Sequence, residues 1–168
     1  MSIPHQLTDQ VKLLQKVAII RSNKTELEVL LLQRSPEALS RPNCWDLPGG
    51  NSEWPEENLS QANLHLQDLS REVKEETALQ FAPAILKNQL PVHFSTYFDG
   101  EKQIFTVICG WSLDFDSTNQ AEIQLSAEHQ AYAWVNAKSL TDCDFGGEQG
   151  AFVLDTIQQA FLNFKKLS

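Results

Sequence analysis

The segment "REVKEETAL", residues 71–79, places three glutamates within five positions. At about 100° per residue, these side chains fall within roughly a 100° arc of a helix. Apolar residues recur through and before this segment at spacings of three and four, which is typical of an amphipathic helix; they are Leu59, Ala62, Leu66, Leu69 and Val73. The pattern predicts a helix with one buried apolar side and a neighbouring carboxylate cluster.

The carboxylate cluster alone is compatible with two interpretations. Most acidic helix faces are simply solvated. Three carboxylates on one face also suit magnesium, which prefers oxygen ligands, keeps several waters and is often shared with substrate phosphates. The helix by itself does not decide between a solvated face and a metal site.

The residues upstream of the helix favour the metal site. "WDLPGG", residues 45–50, is followed by an acidic loop and then by the glutamate-rich segment. This order resembles the signature of the Nudix hydrolase family, in which a glycine, five residues, a glutamate and seven residues precede Arg-Glu-hydrophobic-x-Glu-Glu-x-Gly-hydrophobic. The matching residues are Gly50, Glu56, Arg71, Glu72, Val73, Glu75, Glu76 and Leu79. The order of the flanking strands extends the resemblance over residues 12–165.

The sequence departs from that signature at two places. Fourteen residues separate Glu56 from Arg71, where the family has seven, and Ala78 replaces the family's last glycine. Glycine at a helix end supplies a left-handed cap at little cost, so we expect a different turn at Ala78. The insertion leaves Glu53, Glu56 and Glu57 as alternative equivalents of the family's first glutamate.

The insertion itself carries a structural prediction. Seven residues are about two helical turns, with a phase drift of only roughly 20°. Because the apolar stripe continues through them, we expect one helix from between Pro55 and Asn58 to about Thr77. Asn58 and Gln61 resemble a capping pair at its start. Such a helix would move the acidic loop of residues 53–57 away from the metal.

The family resemblance implies hydrolysis of the phosphoanhydride bond of a nucleoside diphosphate linked to another group. It also implies a magnesium ion, with manganese as an alternative, held by Glu72, Glu75 and Glu76 together with the carbonyl of Gly50. Such an ion neutralises phosphate charge and makes bound water more acidic. Arg71 is expected to hold a carboxylate in place.

The resemblance leaves the general base open between two glutamates. The segment "LSAEHQAYAWV", residues 125–135, resembles the family segment whose loop glutamate deprotonates water, which indicates Glu128. Glu75 on the helix is the alternative. His129 is adjacent to Glu128, but a lone histidine is more often structural.

Substrate contacts are expected from the Gly49–Gly50 turn and from Arg34. Arg34 ends a predicted strand and resembles an arginine that many family members place near substrate phosphates, a task that suits a bidentate guanidinium. The aromatic residues of the segment 91–99 are more often core or cross-strand residues than base-stacking groups.

The remaining pattern predicts a Nudix-type α/β/α sandwich with a mixed β-sheet, in a single domain of residues 12–168 after a leader of residues 1–11. Strands are predicted at 16–22, 27–35, 91–99, 103–115 and 131–135, and a closing helix at 150–167.

Composition limits the class of function. The chain has 168 residues, typical of one domain, and a formal net charge of −9 that opposes binding to nucleic-acid polymers and anionic membranes. A small nucleotide-type substrate stays compatible, because a bound metal ion reverses the local charge. Three cysteines without metal-ligand spacing and the absence of a long apolar run predict a cytoplasmic protein. A monomer or a homodimer is expected.

Two other functions share this fold. An isopentenyl diphosphate isomerase-like enzyme needs a catalytic cysteine and flanking motifs that the sequence lacks. A non-catalytic nucleotide-binding module tends to lose the glutamates, and this chain keeps all three. Nucleotide sugars, dinucleoside polyphosphates, oxidised nucleoside triphosphates and ADP-ribose all fit as substrates.

Overall fold

The computed structural model of the chain describes residues 10–24, 26–53 and 60–167, which form a six-stranded mixed sheet between two α-helices. The strands are β1 (Val11–Asn23), β2 (Glu26–Arg34), β3 (Trp45–Asp46), β4 (His93–Asp99), β5 (Ile104–Asp114) and β6 (His129–Asn136). The helices are α1 (Leu64–Thr77) and α2 (Ala151–Leu167). This architecture confirms the predicted α/β/α sandwich, and every predicted strand is present.

β1 and β2 are apolar on both faces because α1 covers one face of the sheet and α2 covers the other. Successive side chains of a strand point to opposite sides of the sheet. Val17 and Ile19 of β1 therefore pack in the core beneath α1, whereas Ala18 and Ile20 pack in the core beneath α2. All four are fully buried, which explains the continuous hydrophobic run in this part of the sequence.

The partner of β1 changes along its length, and this change positions the Gly-Gly turn. β1 runs parallel to β5 as far as Ile20 and pairs antiparallel with β2 beyond it. Where β1 is not paired with β2, the segment that follows β3 forms hydrogen bonds with the same edge of β1. Gly50 accepts a hydrogen bond of 2.9 Å from the N–H of Gln15, and Pro48 accepts one of 2.9 Å from Val17. The turn therefore lies where β1 and β2 separate.

α1 begins at Leu64, so the prediction that it starts between Pro55 and Asn58 is wrong. Residues 60–63 are not helical. Asn63 has a left-handed backbone, with φ 59° and ψ 30°, which interrupts the helical hydrogen-bond pattern. Asparagine is among the few residues that adopt this conformation readily, so Asn63 is a natural stop for the helix.

The start of the helix was predicted wrongly because the apolar spacing continues N-terminal to the buried residues. Among the described residues of the stripe, Ala62 is exposed and Leu66 is the first that is buried. Leu59 and the expected cap Asn58 lie outside the described residues. A three-and-four spacing in a short segment is therefore not sufficient to establish a helix that must also find a core to pack on.

The C-terminal end of α1 also differs from expectation. Ala78 adopts the left-handed cap, with φ 64° and ψ −2°, and its N–H donates to the carbonyl of Lys74 at 2.9 Å. The turn is therefore the glycine-type cap, and the prediction of a different turn is wrong. A β-carbon in this region costs about 1 kcal/mol.

Of the predicted leader, residues 1–11, only Gln10 and Val11 are described, and Val11 belongs to β1.

Neither α1 nor α2 has the length and apolar character required to cross a membrane, and the same holds for every helix in the described part of the chain.

Candidate metal and substrate site

The Gly49–Gly50 turn lies directly against the last two turns of α1. The N–H of Gly49 donates a 2.7 Å hydrogen bond to Oε2 of Glu76. A β-carbon on Gly50 would collide with the carboxylate of Glu72, and one on Gly49 would collide with the backbone of Gln15. Gly49 also has φ +122°, which favours glycine. Both glycines are therefore required for this close approach.

Glu76 is the inner carboxylate of the site. It is only 6% exposed, and its second oxygen, Oε1, lies 3.8 Å from Nε2 of His129. Burial raises the pKa of Glu76 to about 7, although the ammonium group of Lys16 and the N–H of Gly49 favour the ionised form. A cation beside this carboxylate would replace the solvation that burial removes.

Arg71 binds the outer carboxylates of α1. Its Nη2 lies 2.8 Å from Glu72, and its Nη1 donates to Glu75 at 3.1 Å. The same guanidinium lies within 4 Å of Asp68 and Glu53. Burial raises the pKa of the Glu72 carboxyl, and the attraction of Arg71 opposes that rise.

Glu53 lies beside α1. Its carboxylate lies 3.6 Å from Arg71, and its N–H donates to Asp68 at 3.1 Å. The longer helix that was expected to move residues 53–57 away from the metal is not present, because α1 begins at Leu64. The other two candidates for the family's first glutamate, Glu56 and Glu57, lie outside the described residues.

The three predicted metal ligands do not converge in this structure. Glu72 and Glu76 contact the Gly49–Gly50 turn, whereas Glu75 is 57% exposed and binds Arg71. In residues 10–24, 26–53 and 60–167, no group of three or more His, Cys, Asp or Glu side chains is arranged to hold a metal ion.

The donor atoms at the turn nevertheless fit a hard cation. Carboxylate and carbonyl oxygens are the ligands that magnesium prefers. The carbonyl of Gly50 accepts one hydrogen bond, from Gln15, and a carbonyl oxygen has a second lone pair. The space that Gly50 leaves by lacking a side chain is filled by the carboxylate of Glu72. This set of oxygens is chemically suited to a divalent metal.

A second charged cluster lies behind the turn, centred on Asp46. This carboxylate is fully buried, and its Oδ2 lies 2.6 Å from Arg41, 3.3 Å from Lys16 and 3.4 Å from Arg34. Burial by itself would raise the pKa of Asp46, but the attraction of Lys16 and Arg41 outweighs it and the pKa is lowered. We call Asp46, Lys16, Arg34 and Arg41 the Asp46 cluster.

Lys16 connects the Asp46 cluster to the Gly-Gly turn. Its Nζ donates a 2.6 Å hydrogen bond to the carbonyl of Gly49, and its side chain is only 5% exposed. The sequence interpretation missed Lys16, Arg41 and Asp46. The available signals were the aspartate inside "WDLPGG" and a lysine at the start of an apolar strand.

Arg34, predicted to contact substrate phosphates, is held inside this cluster. Its Nε donates to the carbonyl of Ser40 at 2.8 Å, and Nη1 lies 3.4 Å from Asp46. Its side chain is 24% exposed, so one part of the guanidinium stays accessible. Its role in substrate binding stays a prediction.

A cleft of about 730 Å³ opens on the α2 side of the sheet, in the size range of small-molecule sites. β1, β4, β5 and the start of α2 form it, and Arg41 belongs to its lining. The glutamates of α1 do not line this cleft. Arg41 links the two regions, because it contacts Asp46, which contacts Lys16 beside Gly49.

Glu128, the predicted base, lies at the surface immediately before β6. Its carbonyl accepts a 2.8 Å hydrogen bond from Ser35, and its side chain is exposed. The next residue, His129, is buried and reaches Glu76 instead. Neither ring nitrogen of His129 has a hydrogen-bond partner among the described residues, and burial, together with the Lys16 charge, lowers its pKa to about 4. The imidazole is therefore neutral at pH 7.

Solved structures of other proteins share this fold. A MutT NUDIX hydrolase from Burkholderia pseudomallei aligns with a TM-score of 0.62 and 18% identity, covering 90% of this chain and 98% of that one. A MutT protein from Methanosarcina mazei Go1 has a TM-score of 0.60 and 23% identity, with coverage of 95% and 99%. An Ap4A hydrolase from C. elegans has a TM-score of 0.54 and 24% identity, with coverage of 90% and 98%.

These identities establish a common fold only. No curated protein sequence matches the chain significantly. The model of the NUDIX domain family matches residues 13–153, which is most of the chain, and it confirms the resemblance seen in residues 45–79. This protein is therefore a member of the NUDIX domain family.

Proposed function

We propose that this protein is a magnesium-dependent pyrophosphohydrolase that cleaves the phosphoanhydride bond of a nucleoside diphosphate linked to another group. The contact of Glu72 and Glu76 with the Gly49–Gly50 turn carries this proposal. It joins carboxylates and a backbone carbonyl in the oxygen-rich environment that a phosphate-bound cation needs. Membership of the NUDIX domain family supports hydrolysis of this type of bond.

Glu72, Glu75, Glu76 and the carbonyl of Gly50 are the proposed metal ligands. When bound, magnesium or manganese neutralises phosphate charge and acidifies a water molecule. Arg71 binds Glu72 and Glu75 in the structure, and its proposed role is to hold these two carboxylates in place.

The chain's own residues supply rigidity and positive charge around the phosphates. Lys16 fixes the carbonyl of Gly49, and the carboxylate of Asp46 holds Lys16 in place. Arg34 and Arg41 carry positive charge close to the turn in a protein of net charge −9. The guanidinium of Arg34, which is anchored by Asp46 and Ser40 while its side chain is 24% exposed, suits a phosphate oxygen.

The proposed substrate is a small nucleotide-type molecule, and neither a nucleic-acid polymer nor a membrane is proposed as a partner. The cleft beside Arg41 has room for the nucleoside or for the group attached to the diphosphate. A cytoplasmic location is part of the same proposal. The general base is proposed to be Glu128, with Glu75 as the alternative.

The isomerase alternative is disfavoured by the cysteines. Burial is the main cause that raises the pKa of the thiols of Cys44, Cys109 and Cys143. A reactive cysteine requires the opposite shift, toward the thiolate. A non-catalytic binding module is disfavoured by the retained glutamates of α1.

A substrate panel tests the proposed function. Nucleotide sugars, dinucleoside polyphosphates, oxidised nucleoside triphosphates and ADP-ribose are incubated with the full-length protein and magnesium, and phosphate or nucleotide release is measured. We expect hydrolysis of at least one class, abolished by EDTA and restored by excess magnesium. Hydrolysis that EDTA leaves unchanged, or no hydrolysis of any class, contradicts the proposal.

A further inference from the structure

β4 is an edge strand with exposed aromatic side chains. It stands last in the strand order and, within the described chain, pairs only with β5. Phe94, Tyr97 and Phe98 are 64%, 61% and 50% exposed. Proteins commonly protect such an edge with lysine or proline, and "HFSTYFD" contains neither. The backbone and the aromatic side chains of this edge are therefore available to another strand.

The sequence of β4 is self-complementary about Thr96. When two copies of the strand pair antiparallel across a two-fold axis at Thr96, residues equally distant from that residue lie opposite each other. Phe94 then faces Phe98 of the second copy, and Ser95 faces Tyr97. At the ends, His93 faces the carboxylate of Asp99. Aromatic pairs and pairs of complementary polarity are the cross-strand contacts that stabilise a sheet.

We infer that the protein forms a homodimer in which the two β4 strands pair antiparallel about Thr96 and join the two sheets into one. This axis is the one that pairs all seven residues of the strand. Moving the axis to Ser95 or Tyr97 would pair five residues and place an aromatic ring opposite Thr96. The side-chain pairs therefore favour a second copy of this chain as the partner of β4 and a register centred on Thr96.

The neighbouring strands make the same surface apolar. Val11 of β1 pairs with Phe105 of β5, which in turn pairs with Phe98 of β4, so the three side chains form a row on the α1 side of the sheet. Val11 is 62% exposed in the single chain. In the dimer, Phe94 of the second copy extends this row and covers part of the exposed apolar surface.

The opposite side of β4 faces the cleft. His93, Ser95, Tyr97 and Asp99 belong to the cleft lining. Pairing the two strands therefore places the same residues of the second copy beside them and lengthens the polar wall of each cleft. A strand from an unrelated protein would not supply this complementary set.

The register is tested with two single variants and their mixture. Phe94→Asp and Phe98→Lys each place a charge opposite a phenylalanine on both sides of the two-fold axis. In an equimolar mixture, a heterodimer brings the introduced carboxylate opposite the introduced ammonium and leaves one phenylalanine pair intact. We expect each variant alone to weaken dimerisation by roughly tenfold or more, because the change acts twice, and the mixture to recover it.

The measurement is sedimentation velocity of the full chain over a micromolar concentration series, with Leu162→Asp as control because Leu162 is also exposed but lies on α2. We expect the wild type and the control to approach twice the mass of one chain with the same dissociation constant. A wild type that stays monomeric at every concentration of the series would overturn the inference. Dimers that persist unchanged in both single variants would also overturn it.

Hydrogen exchange of the wild type provides a test that needs no variant. We expect the amides of β4 to become more protected as the protein concentration rises, while those of α2 do not change. Protection of β4 that is independent of concentration contradicts the pairing. Circular dichroism of each variant checks that the fold is retained, as expected for substitutions at exposed positions.

Discussion

The N–H of Gly49 and Oε2 of Glu76 are joined by a 2.7 Å hydrogen bond that connects the Gly-Gly turn to the last turn of α1. On the other side of the same peptide unit, the carbonyl of Gly49 accepts from Lys16 at 2.6 Å. One residue is thereby held between a carboxylate and an ammonium group. This arrangement fixes the adjacent Gly50, whose missing side chain leaves the space that the Glu72 carboxylate fills.

Removing the charge of Glu75 or of Glu76 is expected to lower the hydrolytic activity strongly. Glu75→Gln and Glu76→Gln should each lower turnover on the best panel substrate by roughly two orders of magnitude or more, because each removes an anionic oxygen proposed to hold the metal. Circular dichroism should show a retained fold. Glu122→Gln, at an exposed position far along the chain, is the matched control and should have wild-type turnover.

Glu128→Gln separates the two candidate bases. If Glu128 is the base, this variant should lower turnover while the magnesium concentration at half-maximal rate stays unchanged. The measurement is a magnesium titration of the rate between pH 7 and pH 9. Wild-type turnover across that range would transfer the role to another residue, with Glu75 tested next.

Side chains at the two glycines should have separable effects. Gly49→Ala adds a β-carbon that collides with the backbone of Gln15 at a positive φ, so we expect it to destabilise the fold by about 2 kcal/mol or more. Gly50→Ala collides with the carboxylate of Glu72, so its main effect should be weaker metal affinity. Gly100→Ala has open space around it and is the control. Equal stability of Gly49→Ala and the control would contradict the structure.

Ala78→Gly is expected to stabilise the protein. Ala78 occupies a left-handed cap at φ 64°, and removing its β-carbon relieves about 1 kcal/mol, partly offset by the greater freedom of glycine in the unfolded chain. Urea denaturation measures the change. Ala84→Gly is the control. Ala84 is exposed and lies in the short right-handed 3₁₀ helix Pro83–Ile85, so this variant should instead destabilise the protein by about 0.5 kcal/mol. A destabilising Ala78→Gly would contradict the cap.

Asp46→Asn is expected to destabilise the protein by about 3 kcal/mol or more, because it leaves the buried Lys16 and Arg41 without their carboxylate. The pKa of Asp46 is lowered in the folded state, so its stabilising contribution is present above the ordinary aspartate pKa and is lost as the pH falls through the folded value. The variant should therefore lose part of the acid sensitivity of unfolding. Denaturant unfolding at neutral and acidic pH measures both effects.

Local periodicity was sufficient for the regular elements. The alternation of Val17, Ala18, Ile19 and Ile20 between two cores follows from the period of a strand, and the predicted apolar strand at 16–22 is present as part of β1. The carboxylate face of α1 follows likewise from the period of a helix. Spacing did not locate the start of α1, because Asn63 stops the helix through its own backbone conformation.

The sequence by itself determined the family signature and the acidic face of α1, since both depend on residues that are near one another along the chain. Only the tertiary structure decided that Glu76 meets Gly49 and that Lys16 meets Asp46. These contacts bring together β1, β3, the turn after β3 and α1. Burial and pairing between distant segments set such contacts, and neither is encoded in the spacing of residues along one segment.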